Sequence, residues 1–134
     1  MSEVVAELRS VPDTEAALGW AGGHTVVVDR PEGVAGGAGL GFNGGQMLAL
    51  AIGGCLCNDL RYASHELDIA IGEISVRVAL ELDGRPLIVR RALVSVDCRT
   101  QDGGSAATVI DHAVAMSTVA NSIGQGFPVQ IARV

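Results

Sequence analysis

The sequence predicts an α+β fold in which antiparallel sheets pack against two main helices. Three observations carry that expectation. The stretch from Phe42 to Leu67 reads as one long helix, apolar nearly all round in its first half. The stretch from Glu73 to Leu82 alternates strictly between apolar and polar residues, the signature of a half-buried strand. Strand-like runs precede the long helix, and a helical run then a strand follow the alternating segment, an order typical of segregated α+β packing.

Taken in order, Val4 to Arg9 is a short strand candidate closed by Pro12 and Asp13. A second strand begins near Ala16, although Gly19 and Trp20 blur its pattern. Ala21-Gly22-Gly23 is a turn, and His24 to Asp29 is a third strand rich in β-branched residues. Pro31 to Gly45 then carries seven glycines and no apolar period, so it reads as loop. Within it, Gly39-x-Gly41-x-x-Gly44 formally matches the dinucleotide fingerprint. That motif requires a strand directly before its first glycine, and nine residues intervene here. A flexible glycine loop leading into the helix is the better reading.

Asn43 is a good N-cap for the long helix, and Gln46 can complete a capping box with it. Met47, Leu48, Leu50, Ala51, Ile52, Cys55 and Leu56 leave no polar stripe before Asn58 and Asp59, so the helix is expected to be buried. Gly53 and Gly54 each cost roughly 1 kcal/mol against alanine in a helix interior, which implies a close approach to the backbone there. After the alternating strand, Asp83-Gly84 signals a hairpin. The return strand runs from Pro86 to about Cys98. Its apolar phase shifts from Leu87 and Val89 to Val94, Val96 and Cys98, which places a bulge near Arg90-Arg91. Gln101 to Gly104 is loop, Ser105 to Ile123 a second helix stopped by Gly124 and Gly126, and Phe127 to Arg133 a last strand.

A chain of 134 residues suits a single domain, expected to span 1–134. With 49% hydrophobic residues but only 3% aromatic, its core must be aliphatic. A net charge of −6 argues against phosphate-backbone binding, so no nucleic-acid partner is expected. All nine basic residues are arginine, which reads as coding bias. No apolar run follows a basic N-terminal segment, and the apolar part of the long helix falls short of the roughly 20 residues a bilayer span requires. No membrane association is expected. Three cysteines without a secretion signal point to a reducing cytoplasm and free thiols.

Cysteine chemistry needs a thiolate, and a thiolate needs a positive neighbour or a helix N-terminus. Cys55 lies twelve residues past Asn43, too deep for the helix dipole, and Asp59 sits four residues on along the same face. A carboxylate there disfavours a thiolate. Cys57 has Arg61 as its i+4 neighbour and is better placed on local grounds. The two sulfurs point about 200° apart on the helix, so they should not bond each other. The bland alternative is that both are small core residues, where free cysteine usually sits. Cys98 lies on an apolar strand face and reads as core filling. His24, His65 and His112 show no metal-ligand spacing, so neither a metal nor a cofactor is expected.

The run LALAIGGCLCNDL resembles the central helix of the OsmC/Ohr family, thiol-dependent peroxidases of organic hydroperoxides, in which a helix of the form LLLAALGGC carries the peroxidatic cysteine. The resemblance extends from about Gly22 to Arg133. It implies an OsmC-like fold, with the central helix buried at the interface of an intertwined homodimer. A helix apolar on all sides in so short a chain is also easier to bury between two copies. The resemblance makes Cys55 the peroxidatic candidate. It puts Ser117, in Ser117-Thr118-Val119-Ala120, where the family carries a resolving cysteine in a motif like CPVS. Gly45 occupies the place of a glutamate in NPEQL, leaving Asn43 and Gln46 as substrate-side residues. The family's activating arginine comes from the first strands, where Arg9 and Arg30 are the candidates, Arg9 being preferred. Two functions follow as expectations. The first is one-cysteine reduction of small apolar hydroperoxides in oxidative-stress defence, using Cys55 and an external thiol. The alternative is a non-catalytic OsmC-like protein that binds a small apolar ligand.

Overall fold

A computed structural model describes residues 1–134, which group into two compact units, 1–48 and 49–134. In the first unit, β1 (Glu7–Ser10), β2 (Ala17–Ala21) and β3 (His24–Val28) form an antiparallel sheet in that order. Arg9 pairs with Leu18, and Gly19 with Val26. The first strand starts later than its β-propensity suggests. Glu7 pairs with Trp20 and β2 ends at Ala21 before the turn, so Val4 and Val5 have no strand to join.

The glycine loop is seated on β3 by backbone contacts. Phe42 N–H donates to the Val27 carbonyl and Asp29 N–H to the Phe42 carbonyl, each at 3.0 Å. At Gly41 a β-carbon would stand 2.0 Å from the Val27 carbonyl oxygen, a distance no side chain tolerates. Gly39 has a φ of +65°, the left-handed region that favours glycine. Two of the three fingerprint glycines therefore have local backbone reasons to be glycine. Asp29, only 4% exposed, closes the loop from below. Its carboxylate accepts the N–H groups of Ala38 and Leu40, each at 3.1 Å, and that of Arg30 at 2.8 Å.

The N–H of Leu40 does most to hold the Asp29 carboxyl below its ordinary range. Burial opposes it, while the N–H groups of Ala38 and Arg30 and the Arg30 guanidinium add to it. A depressed folded-state value gives stability that is present above the unfolded carboxylate range and lost as pH falls through the folded value. Asp29→Asn should therefore destabilise the protein at neutral pH and flatten its stability profile on the acid side. Thermal melts from pH 7 down to acid, compared for the two proteins, check this; parallel profiles would show that Asp29 is not a loop anchor.

The long helix α1 spans Gly44–Leu67. Its start is a reciprocal capping box: Gln46 N–H donates to Asn43 Oδ1 at 2.9 Å, and Asn43 N–H to Gln46 Oε1 at 3.0 Å. In the second unit, β4 (Ile71–Asp83) and β5 (Ile88–Thr100) form a long antiparallel hairpin. Glu81 pairs with Arg91 but Leu82 with Val89, so Arg90 is the extra residue of a bulge. That bulge restores the phase in which Ile74, Val76 and Val78 face Cys98, Val96 and Val94. A β-carbon at Gly53 would meet Val78 Cγ2 at 3.2 Å, so the hairpin lies close against the helix backbone at Gly53, but at Gly54 nothing comes within 4 Å and the expected close approach is absent.

The core of this unit gathers Leu56, Leu60, Ala63, Ile71, Cys98, Ala106, Val109 and Ala113. Within the single chain, α1 buries one stripe, Ile52, Leu56, Leu60, Ala63 and Ser64, rather than all its sides. Leu50 remains 52% exposed and Tyr62 72%. Two expectations are corrected. The second helical run is split into α2 (Ala107–Met116) and α3 (Thr118–Gln125), because Ser117 adopts φ −64° and ψ 110°. Phe127 to Arg133 forms no strand, because it pairs with none of the five strands.

Candidate functional site

Cys55 is half-buried on α1, past the capping box and Gly53-Gly54. One turn on, Asp59 shares its face, and the Cys55 thiol donates to Asp59 Oδ2 at 3.4 Å. The third member comes from the break between α2 and α3. Ser117 ends α2, its N–H donating to the Val114 carbonyl at 3.4 Å, and starts α3, its carbonyl accepting the Asn121 N–H at 3.0 Å. Asn121 Nδ2 ties the two helices together by donating to the Ala115 carbonyl at 3.0 Å. Held this way, Ser117 is 1% exposed and its hydroxyl points at Cys55, Oγ to Sγ at 3.8 Å.

This arrangement can deliver a sulfur flanked by a hydroxyl donor and a carboxylate acceptor from two separate helical segments. It cannot form an internal disulfide, because oxygen replaces sulfur at the contact. Cys57 is half-buried and lacks the expected partner. Arg61 instead donates to the carbonyls of Ile71, at 3.4 Å, and Gly72, at 3.1 Å, pinning the end of α1 to β4. Cys98 is buried among the core side chains. Burial pushes its thiol up; the Arg61 charge opposes this and Asp97 adds to it.

The remaining candidates sit as follows. Arg9 is exposed on β1. Arg30 is committed to the Asp29 carboxylate, at 3.1 Å, and to the Glu15 carbonyl. Asn43 and Gln46 spend their side-chain oxygens on each other's backbone. His112 Nε2 meets Glu66 Oε2 at 2.9 Å, and no group of three His, Cys, Asp or Glu side chains is arranged to hold a metal. In the first unit, an apolar groove of about 250 Å³ is lined by Leu8, Trp20, Val26 and Met47, with His24 at its edge. Sequence reasoning missed the Asp29 latch and the capture of Arg61 by strand carbonyls. Only a carboxylate at the head of a glycine-rich loop hints at the first.

Residues 36–132 match the model of the OsmC-like protein family. The chain belongs to the OsmC-like family. Solved structures of the same fold include an OsmC-like protein of unknown function from Vibrio cholerae, with a TM-score of 0.74, 13% identity, and coverage of 91% of this chain and 94% of that one. An organic hydroperoxide resistance protein from Legionella pneumophila aligns with a TM-score of 0.64 at 16% identity, over 92% of this chain and 90% of that one. The organic hydroperoxide resistance protein OhrB of Bacillus subtilis aligns with a TM-score of 0.59 at 20% identity, over 92% of both chains. At such identities the likeness is one of fold. No curated protein matches the chain in sequence. No helix is long and apolar enough to cross a membrane.

Proposed function

We propose that this OsmC-like protein reduces small organic hydroperoxides in a one-cysteine cycle at Cys55, with an external thiol as reductant. The observation that carries the reading is the 3.8 Å contact between Cys55 Sγ and Ser117 Oγ. It brings the central-helix cysteine into contact with the position at which the family resemblance puts a resolving cysteine. In the cycle the Cys55 thiolate attacks a peroxide oxygen. The S–O bond forms as the O–O bond breaks, and the alkoxide leaves and takes up a proton as alcohol. The sulfur, oxidised by two electrons, is then a sulfenic acid. An external thiol displaces water to give a mixed disulfide, and a second thiol releases Cys55. A reducing cytoplasm supplies such thiols.

Titrating the purified protein with cumene hydroperoxide while counting and mapping free thiols tests this. Cys55 should be lost first and should return with added small thiol. Loss of Cys57 ahead of Cys55, or no loss at all, would sink the assignment. A homodimer belongs to the same proposal. The uncovered Leu50 and Tyr62 on α1, and Phe127 and Ile131 beyond α3, supply apolar surface that a second copy would cover. Light scattering after size exclusion should report twice the chain mass; a monomer would remove this part.

The alternative, a non-catalytic protein that binds an apolar ligand, is favoured by two observations. The Cys55 thiol is spent on a hydrogen bond to Asp59 Oδ2, and the groove around Trp20 is apolar. Quenching of Trp20 fluorescence by small apolar compounds, with no hydroperoxide consumed, would select it.

A further inference from the structure

Asp59 lies close enough to the reacting sulfur to act on whatever approaches it. Its Oδ2 is 3.4 Å from Cys55 Sγ, and nothing in the ion-pair network cancels its charge. The ion pairs are Arg30–Asp29, Arg91–Glu81 and His112–Glu66, and none includes it. Arg61, two residues on, is turned to the carbonyls of Ile71 and Gly72. From the hairpin, the side chains packed toward the helix are Ile74, Val76, Val96 and Cys98, none bearing a formal charge as a thiol or hydrocarbon. From α2 and α3, the group at the sulfur is the neutral Ser117 hydroxyl. The ionisable His112 of α2 is engaged with Glu66, near the far end of α1.

We infer that Asp59 makes the Cys55 site select against anionic reactants, so that it takes uncharged hydroperoxides and uncharged or cationic thiols. The hydroperoxide part rests on the function proposed above; the charge selection does not. An anionic reactant whose charge lies beside its reacting atom must bring that charge within a few ångströms of the Asp59 carboxylate to reach the sulfur. Like charges about 4 Å apart in water repel enough to change a rate roughly fivefold. A protein of net charge −6 adds a weaker, longer-range field of the same sign.

The test compares iodoacetate, an anion, with the uncharged iodoacetamide. Each reacts with the thiolate, forming an S–C bond as iodide leaves, so the ratio of their rates at one pH cancels the thiolate fraction. Rates at Cys55 are read by mass mapping, with Cys57 in the same molecule as internal reference. Asp59→Asn should raise the iodoacetate to iodoacetamide ratio at Cys55 about fivefold and leave that at Cys57 unchanged. Asp59→Glu keeps the charge and should keep the low ratio, and salt should narrow the wild-type difference. An equal ratio in wild type and Asp59→Asn overturns the inference. So does a ratio that moves alike at Cys55 and Cys57, which would mark a loosened fold. A second arm compares cumene hydroperoxide with a 2-hydroperoxy carboxylate, whose charge lies beside the peroxide. If neither oxidises Cys55 while the alkylation ratio still responds to Asp59, the peroxidase reading fails and the charge selection stands.

Discussion

Ser117→Cys should convert the protein into a two-thiol peroxidase that closes an internal disulfide onto Cys55. The wild-type Oγ already lies 3.8 Å from Cys55 Sγ. A disulfide needs about 2.05 Å between sulfurs, and a longer C–S bond with a side-chain rotation supplies much of the difference. Ser117 is 1% exposed, so cysteine, its near isostere, enters a site already shaped for a small side chain. In the wild type, oxidised Cys55 waits as a sulfenic acid for an external thiol or proceeds to irreversible states. A thiol held at contact distance has an effective concentration far above that of millimolar external thiol. Turnover with a dithiol reductant should therefore rise by roughly tenfold or more, and peroxide-treated variant should lose the introduced thiol together with Cys55. Non-reducing mass mapping and coupled turnover check both. A stoichiometric internal disulfide in the wild type, with Cys98 as partner, would refute this account of the site.

That prediction depends on a contact which the chain shows only in part. The central helix and the hairpin were legible because their signals are local. A capping box, an apolar run and a two-residue alternation each follow from neighbouring residues, and even the bulge at Arg90 showed as a phase change. The break at Ser117 was not legible. The residues on either side keep helical composition, with neither glycine nor proline, and one extended ψ angle suffices to split the helix. The expected final strand at Phe127 failed for a different reason. Alternation marks a segment able to pair, but a strand exists only where the chain lies along an edge, and Phe127 to Arg133 pairs with none of the five strands. Arg61 shows the same limit at the site. Its spacing from Cys57 is right for an i+4 contact, yet the carbonyls of Ile71 and Gly72 took the guanidinium. The Asp29 latch escaped because its acceptors' partners are backbone N–H groups nine and eleven residues away, which side-chain identity does not announce.

Leu60→Ala should cost about 3 kcal/mol of stability, a large share of the 5–15 kcal/mol that holds a typical domain. Leu60 and Val109 are both 0% exposed and lie at the centre of the cluster that joins α1, the hairpin and α2. Removing the isobutyl group loses its transfer free energy and leaves a void that close-packed neighbours fill only in part. Leu60 is also five residues from Cys55 on α1, while Val109 stands on the helix that leads to Ser117. The two residues therefore help hold the 3.8 Å contact at which the sulfur and the hydroxyl meet. In urea titrations at one fixed protomer concentration, the midpoint should fall with little change in slope. When Leu60→Ala is added to Ser117→Cys, the yield of the Cys55 disulfide should drop as the helices loosen. A loss of less than about 1 kcal/mol, with undiminished disulfide yield, would show that this cluster neither carries the fold nor positions the site.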